Sequence, residues 1–318
     1  MRVVLAKPRG FCAGVERAIR VVELALEQYG PPVYVRKEIV HNRHVVERLR
    51  ALGAVFVEEL AEIPSGTVTI LSAHGSPPAV YQEAERRELR LIDATCPLVR
   101  KVHVEVRRYV KRGYRVLLIG HAGHDEVVGT MGQAPDATIL IKSLEDVRRL
   151  ELAADARGVI LTQTTLSQDD ARELVDALRR RFPQLELPPH EDICYATQNR
   201  QNAVREISGR IGVLLVVGSQ NSSNSRRLTE VGRARGVRAY LVDGPDHIEE
   251  GWLEGGQPVG VTSGASAPED VVQGVLAYLR QRGVTVVEEI EAPDEGVVFT
   301  LPRLNSMGPA DEPPIRGV

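Results

Sequence analysis

Three cysteines, each at the start of a helix-forming stretch, are the residues in this chain best suited to hold a metal: Cys12 in GFCAGVERAI, Cys96 in DATCPLV and Cys194 in DICYATQNR. They lie 84 and 98 residues apart, so there is no C-x-x-C pair, and an odd count leaves one over in any disulfide scheme. Pro97 suits the first position of a helix. A helix N-terminus lowers a thiol's pKa through the dipole and the free N–H groups, favouring the thiolate that metals require. A single cysteine of this kind reads more readily as a small buried hydrophobe. Three in equivalent positions, with no fourth anywhere, shift that balance toward a ligand set. Zinc and iron–sulfur groups both accept thiolates. A structural zinc site wants four closed ligands and a cubane cluster ordinarily takes four cysteines, so three would leave one position open to a substrate. Spacing alone does not choose between the two.

A second constellation suits an anion. His41, His74 and His124 each stand beside a turn, in IVHNRH, SAHGS and HAGHDEV; Ser222, Ser223 and Asn224 precede one helical stretch, and Ser266 precedes another. Hydroxyls, an amide, imidazoles and helix N-termini together cradle a phosphate or diphosphate with little formal charge. Ser and Asn are also the favoured N-caps, and the two roles are compatible. His44, His103, His121, His190 and His247 carry only the ordinary reading of hydrogen-bonded structural residues, although His121 shares a loop with His124. Glu126 follows His124 in a glycine-flanked loop, and Thr164 and Thr165, ending an apolar run, offer hydroxyls for a proton relay.

The elements that must position these groups alternate. Apolar, β-branched runs at 3–6, 33–35, 68–73, 115–120, 158–164, 213–219, 239–244 and 259–264 read as strands. They are separated by helical patterns at 97–112, 168–182, 195–210, 223–234 and 268–282. After Cys12, residues Val15, Ile19, Val22, Leu26 and Tyr29 form one apolar helical stripe, with Glu16, Arg17, Arg20, Glu23 and Glu27 mostly off it. Near-continuous apolar strands between helices indicate parallel sheets covered on both faces, hence an α/β fold.

The pattern recurs about every ninety residues, each time a cysteine at a helix start followed by strand ends carrying small polar residues or histidine. Three pseudo-equivalent units are expected: 14–96, 97–193, and 194–282 completed by the N-terminal segment 1–13. Residues 283–318 are expected to supply C-terminal strands and a flexible tail.

Composition sets the limits. The 318 residues are 43% hydrophobic and carry a formal net charge of -3, which offers no basic field for nucleic acid or an anionic membrane. The opening RVVLAKPRG has no apolar h-region or cleavage site, and no apolar run approaches a membrane span, so a cytoplasmic protein is expected.

Taken in order, PRGFCAGVERAI, YVRKEIVHN, SAHG, DATCPLVRKVH, GHAGHDEVVGTMGQ, TQTTLS, DICYATQNRQ, GSQNSSNS and TSGASAP resemble the 4-hydroxy-3-methylbut-2-enyl diphosphate reductase family of the methylerythritol phosphate route to isoprenoids, from residue 1 to about 300. The resemblance implies three α/β units around one four-iron four-sulfur cluster held by Cys12, Cys96 and Cys194, its fourth iron open to substrate. It places His41, His74, His124, Thr164, Ser222, Ser223, Asn224 and Ser266 on the diphosphate substrate. Glu126, Thr164 and His124 become the catalytic set, supported by Thr197. The implied reaction is reductive dehydroxylation to isopentenyl and dimethylallyl diphosphate plus water. A ferredoxin or flavodoxin would donate the electrons, and the protein would be a monomer or weak homodimer. One departure, Pro77 and Pro78 after His74 and Gly75, concerns only the start of the next helix. Two other readings use the same residues. A zinc-dependent phosphohydrolase would have Glu126 as general base, and a regulatory cluster protein would not need Glu126 or Thr164.

Overall fold

The computed structural model describes residues 1–153, 156–302 and 304; the tail expected after 304 lies outside the described residues. In chain order the elements are β1 (Arg2–Leu5), α1 (Ala13–Tyr29), β2 (Val33–Arg36), α2 (Arg43–Ala51), β3 (Ala54–Val57), β4 (Val68–Leu71), α3 (Pro78–Arg86), β5 (Arg90–Asp93) and α4 (Pro97–Lys111). There follow β6 (Arg115–Ile119), α5 (Asp125–Met131), β7 (Thr138–Ile141), α6 (Leu144–Arg149), β8 (Gly158–Thr162) and α7 (Gln168–Arg181). The last are α8 (Tyr195–Ser208), β9 (Val213–Val217), α9 (Ser223–Ala234), β10 (Arg238–Val242), β11 (Val259–Ser263), α10 (Glu269–Gln281) and β12 (Val286–Glu289).

The strands form three sheets, ordered β3-β2-β4-β5, β7-β6-β8 and β10-β9-β11-β1-β12, and every strand pairing within them is parallel. Each contains the same three-strand motif, in which the first strand (β2, β6 or β9) is central and the next two flank it. A fourth strand extends two of the motifs: β5 beside β4, and the N-terminal β1 beside β11. Beside β8 the same place is taken by a lone parallel bridge between Val159 and Glu186. The three pseudo-equivalent α/β units are thus a repeat of topology as well as of motif.

Chain contacts divide the protein into two compact units. Unit 1 comprises Met1–Glu16, Val40–Arg48 and Tyr195–Val298, and contains the five-stranded sheet. Its central β9, VLLVV, is buried at all five positions, as a parallel strand covered on both faces requires. Val3, Leu5, Val213, Leu215 and Val261 pack with α10 on one side of that sheet; Val4, Leu214 and Val216 pack with Val204, Ile207 and Leu228 of α8 and α9 on the other.

Unit 2 comprises Arg17–Ile39, Leu49–Cys194 and the described residues from Phe299 on, and contains the other two sheets. Here Leu117, Ile119 and Ile160 pack with α6 and α7, while Val116, Leu118, Val159 and Leu161 pack against Val102, Val106 and Tyr109 of α4. Each such side chain contributes roughly 1.5–3 kcal/mol on leaving water. Among the described residues no helix is long and apolar enough to cross a membrane.

Candidate active site

None of the three cysteines is in a disulfide, and all three are half-buried at helix starts. Cys96 is the N-cap of α4, with Pro97 in its first turn, and its carbonyl accepts the Arg100 N–H at 2.9 Å. The Cys12 carbonyl likewise accepts the Glu16 N–H at 3.0 Å, and Cys194 directly precedes α8.

Their anchoring is equivalent at a finer level. Cys96 N–H bonds to the carbonyl of Ala73, Cys194 N–H to that of Thr164, and Cys12 N–H to that of Ala265, at 2.9, 3.1 and 3.2 Å. Each acceptor lies two residues past the end of a flanking strand, β4, β8 or β11. The side chains that follow those carbonyls are His74, Thr165 and Ser266. A second equivalence links the central strands: His41, His124 and Ser222 each stand five residues past the end of β2, β6 and β9.

Burial outweighs the helix dipole at Cys12. Loss of water pushes its thiol above the ordinary range, while the Arg200 guanidinium and the N–H groups of Val15 and Gly14 pull it down.

In unit 2 the polar groups converge around Glu126. This residue lies not in an open loop but in the first turn of α5, and is 3% exposed. Its Oε1 accepts the backbone N–H of Thr164 at 2.6 Å and its Oε2 the Thr164 hydroxyl at 2.9 Å. Burial raises its carboxyl to about 7; the two Thr164 bonds pull it down and the charge of Asp192 adds a smaller upward push. His124 caps α5, its Nδ1 accepting the Glu126 N–H at 3.2 Å, which assigns the ring proton of the neutral form to Nε2. His74 meets His124 edge to face with ring centroids 6.0 Å apart, and its Nδ1 lies 3.3 Å from the Ser72 hydroxyl. Thr165 accepts from the Gln163 amide, whose oxygen takes the N–H of His121 at 3.0 Å.

His103 acquires a role that the sequence does not suggest. It is buried and held neutral, its pKa pushed down to about 4 chiefly by burial. It packs under Gly75, where a Cβ would come within 2.6 Å of its ring and where φ is +80°, so the turn carrying His74 requires glycine. His103 lies within α4, and only packing relates it to the SAHG turn.

In unit 1, Ser222 caps α9 through the Ser225 N–H, and Ser223 and Asn224 are buried in its first turn. Asn224 Oδ1 accepts the Ala265 N–H at 2.9 Å and its Nδ2 donates to Thr197 Oγ1 at 3.3 Å. Asn224 and Cys12 thus hold the same residue, one by its N–H and the other by its carbonyl. Ser266 donates to the His41 carbonyl at 2.9 Å. Ser225, fully buried, fills the space that glycine leaves at 218 and 264, where a Cβ would come within 2.2 and 2.0 Å of its hydroxyl. Unit 1 therefore offers neutral donors at a helix N-terminus, the chemistry of an anion cradle.

Known proteins are similar to this chain in sequence and in fold. The family model for LytB protein matches residues 3–280. The 4-hydroxy-3-methylbut-2-enyl diphosphate reductase of Acidothermus cellulolyticus is 57% identical over 95% of this chain and 89% of its own. The enzyme of the same name from Glaesserella parasuis is 53% identical over 95% and 98%. The solved structure of the E-1-hydroxy-2-methyl-but-2-enyl-4-diphosphate reductase from Plasmodium falciparum superposes with a TM-score of 0.92 at 38% identity, covering 95% of each chain. With this agreement of sequence and fold, the chain belongs to the LytB family of 4-hydroxy-3-methylbut-2-enyl diphosphate reductases.

Proposed function

We propose that the chain reductively removes the hydroxyl of (E)-4-hydroxy-3-methylbut-2-enyl diphosphate, giving isopentenyl and dimethylallyl diphosphate and water, with Cys12, Cys96 and Cys194 holding one four-iron four-sulfur cluster. The family is iron–sulfur dependent. Three cysteines outside any disulfide, with locked backbones, fit such a group, because soft sulfur donors suit iron and three of them leave a vertex open. When bound, the cluster supplies the two electrons and a Lewis-acidic iron.

The chain's own residues supply position and protons. The reaction consumes two electrons and two protons, and the departing hydroxide must be protonated because it is a poor leaving group. Glu126, with a pKa of about 7, is protonated in a large fraction of molecules near neutrality and can give up that proton at little cost. Thr164, bonded to both Glu126 oxygens, fixes the carboxyl and extends it by one hydroxyl toward the substrate. His124, with its proton on Nε2, together with His74, His41, Ser222, Ser223, Asn224 and Ser266, takes the diphosphate. Holding it also brings the allylic end of the substrate to the proton donor and excludes water.

The observation that carries this reading is the linkage of Glu126 through Thr164 to Cys194: one residue bonds the buried acid with its N–H and hydroxyl and a thiol-bearing segment with its carbonyl. Electrons come from a ferredoxin or flavodoxin to a cytoplasmic monomer or weak homodimer, and the three repeated α/β units, as distinct from the two contact units, run over 14–96, 97–193 and 194–282 with 1–13.

The test is a visible spectrum with iron and sulfide analysis on protein purified without oxygen, before and after addition of the substrate. About four irons per chain and a substrate-perturbed spectrum are expected. A colourless protein holding stoichiometric zinc would replace this reading with the hydrolase.

A further inference from the structure

The helix that follows each cysteine carries a cation five or six residues on: Arg17 after Cys12, Lys101 after Cys96 and Arg200 after Cys194. None of the three points its charge into open solvent. Arg17 Nη1 donates to the carbonyls of Ala94 and Thr95 at 3.3 and 3.2 Å, the two residues before Cys96. Lys101 Nζ donates to the carbonyls of His190 and Glu191 at 3.2 and 3.1 Å and to Asp192 Oδ1 at 3.1 Å, three consecutive residues ending two before Cys194. Arg200 Nη2 donates to the carbonyls of Gly10 and Phe11 at 2.7 and 3.4 Å, the two residues before Cys12. The cation on the helix begun by the first cysteine holds the backbone that presents the second. The second serves the third in the same way, and the third serves the first.

We infer that Arg17, Lys101 and Arg200 are positioning residues for the cysteine ligand set, each fixing the segment that delivers a cysteine other than its own; this rests on the reading that the cysteines hold an iron–sulfur cluster. The segments before the cysteines lie outside helices and strands, so their carbonyls need partners from elsewhere. Burying a cation is costly unless its protons are bonded, and here they are. Arg17 and Arg200 are 3% and 0% exposed, and the Lys101 ammonium matches its three protons to three acceptors. Asp192 also takes the Thr162 N–H at the end of β8, so the Lys101 clamp reaches the strand whose extension anchors Cys194.

Lys101 is the position to test, because its side chain is 22% exposed and its removal disturbs the core least. Full-length wild type, Lys101→Met and Lys101→Arg, purified without oxygen, are compared for iron and sulfide content, half-time of iron release to a chelator, and the EPR signal of the reduced protein. Circular dichroism of the stripped proteins controls for folding. Lys101→Met is expected to fold, to release iron about tenfold faster or more, as loss of a group supporting metal ligands does, and to shift the EPR g values. Lys101→Arg is expected to restore most of the retention. Unchanged release and unchanged g values in Lys101→Met, with iron present in the wild type, would overturn the inference while leaving the cluster reading intact. A wild type that binds no iron would instead overturn the cluster reading, and this inference with it. Should Lys101→Met fail to fold, Asp192→Asn, which keeps the acceptor for Thr162, carries the test: faster release supports the clamp and unchanged release overturns it.

Discussion

Thr164 gives both its backbone N–H and its hydroxyl to the two oxygens of Glu126, at 2.6 and 2.9 Å, in a site where the carboxyl is 3% exposed. One residue thus fixes the orientation of the acid and limits how far burial can raise its pKa. Replacing Glu126 by Gln keeps the shape and an acceptor for Thr164 but removes the transferable proton. Iron content and visible spectrum should stay at wild-type levels while turnover falls by about 10²–10⁴, the usual worth of a positioned general acid. Normal turnover in that variant would remove Glu126 from the mechanism.

The same carboxyl makes stability depend on pH. In the folded protein it is raised from its ordinary 4.5 to about 7, so the folded state binds the proton more tightly than the unfolded chain. Its contribution is fully present below pH 4.5 and is lost as pH rises toward about 7, amounting to roughly 3 kcal/mol at 1.36 kcal/mol per pKa unit. Glu126→Gln cannot ionise and escapes that loss. Urea unfolding of the cluster-free proteins at pH 5 and pH 8 should show the variant gaining on the wild type at the higher pH; a constant difference would contradict the raised pKa.

Thr164→Val separates the two functions of Thr164. The backbone bond to Glu126 survives and the hydroxyl bond does not, so one of the two pulls that lower the carboxyl's pKa disappears. The limb of the pH–rate profile that reports loss of the proton from Glu126 should move to higher pH, and kcat should fall with it. A lower kcat with an unmoved limb would mean that the hydroxyl relays the proton but does not tune the acid.

Gly75→Ala tests the turn that carries His74. The position has φ +80° and a Cβ would lie 2.6 Å from the His103 ring and 3.1 Å from Val99. Strain of about 1–3 kcal/mol is expected, with KM raised as His74 is displaced. The companion His103→Ala should relieve the clash with the ring and recover part of the stability; equal losses in the single and double variants would assign the strain to φ and the Val99 contact and not to His103.

Most of the site could be read from the chain because its chemistry sits in short motifs at element ends. Cys96 before Pro97, the serines before α9 and the apolar β9 announce themselves through capping preference and unbroken hydrophobicity. β3, β5 and β7 had no place among the strands expected from the sequence, although β1, β2 and β4, which also have four residues each, did. The clamping cations were hidden too. Arg17 sits in a run of charges that falls mostly off the apolar stripe of α1, where a solvated face is the natural reading, yet the fold buries it to 3%. What buries it are carbonyls of a segment 77 and 78 residues away, and backbone acceptors leave no trace in side-chain identity. The burial of Glu126 was illegible likewise, because a carboxylate two residues past a histidine looks the same in a loop as in the first turn of a packed helix.

Ser222 shows how one hydroxyl can be both cap and ligand. It accepts the Ser225 N–H at 3.3 Å and the Ser225 hydroxyl at 3.0 Å. Both bonds use its lone pairs, so its own proton is the part that a phosphate oxygen would take up. Ser222→Ala should therefore have two separable effects. Loss of the cap should cost the cluster-free protein about 1 kcal/mol in urea unfolding. Loss of the donor should raise KM with kcat nearly unchanged, because a diphosphate that does not react is held equally in ground and transition states. A destabilised variant with the wild-type KM would make Ser222 a cap alone and leave the diphosphate to Ser223, Asn224, Ser266 and the histidines.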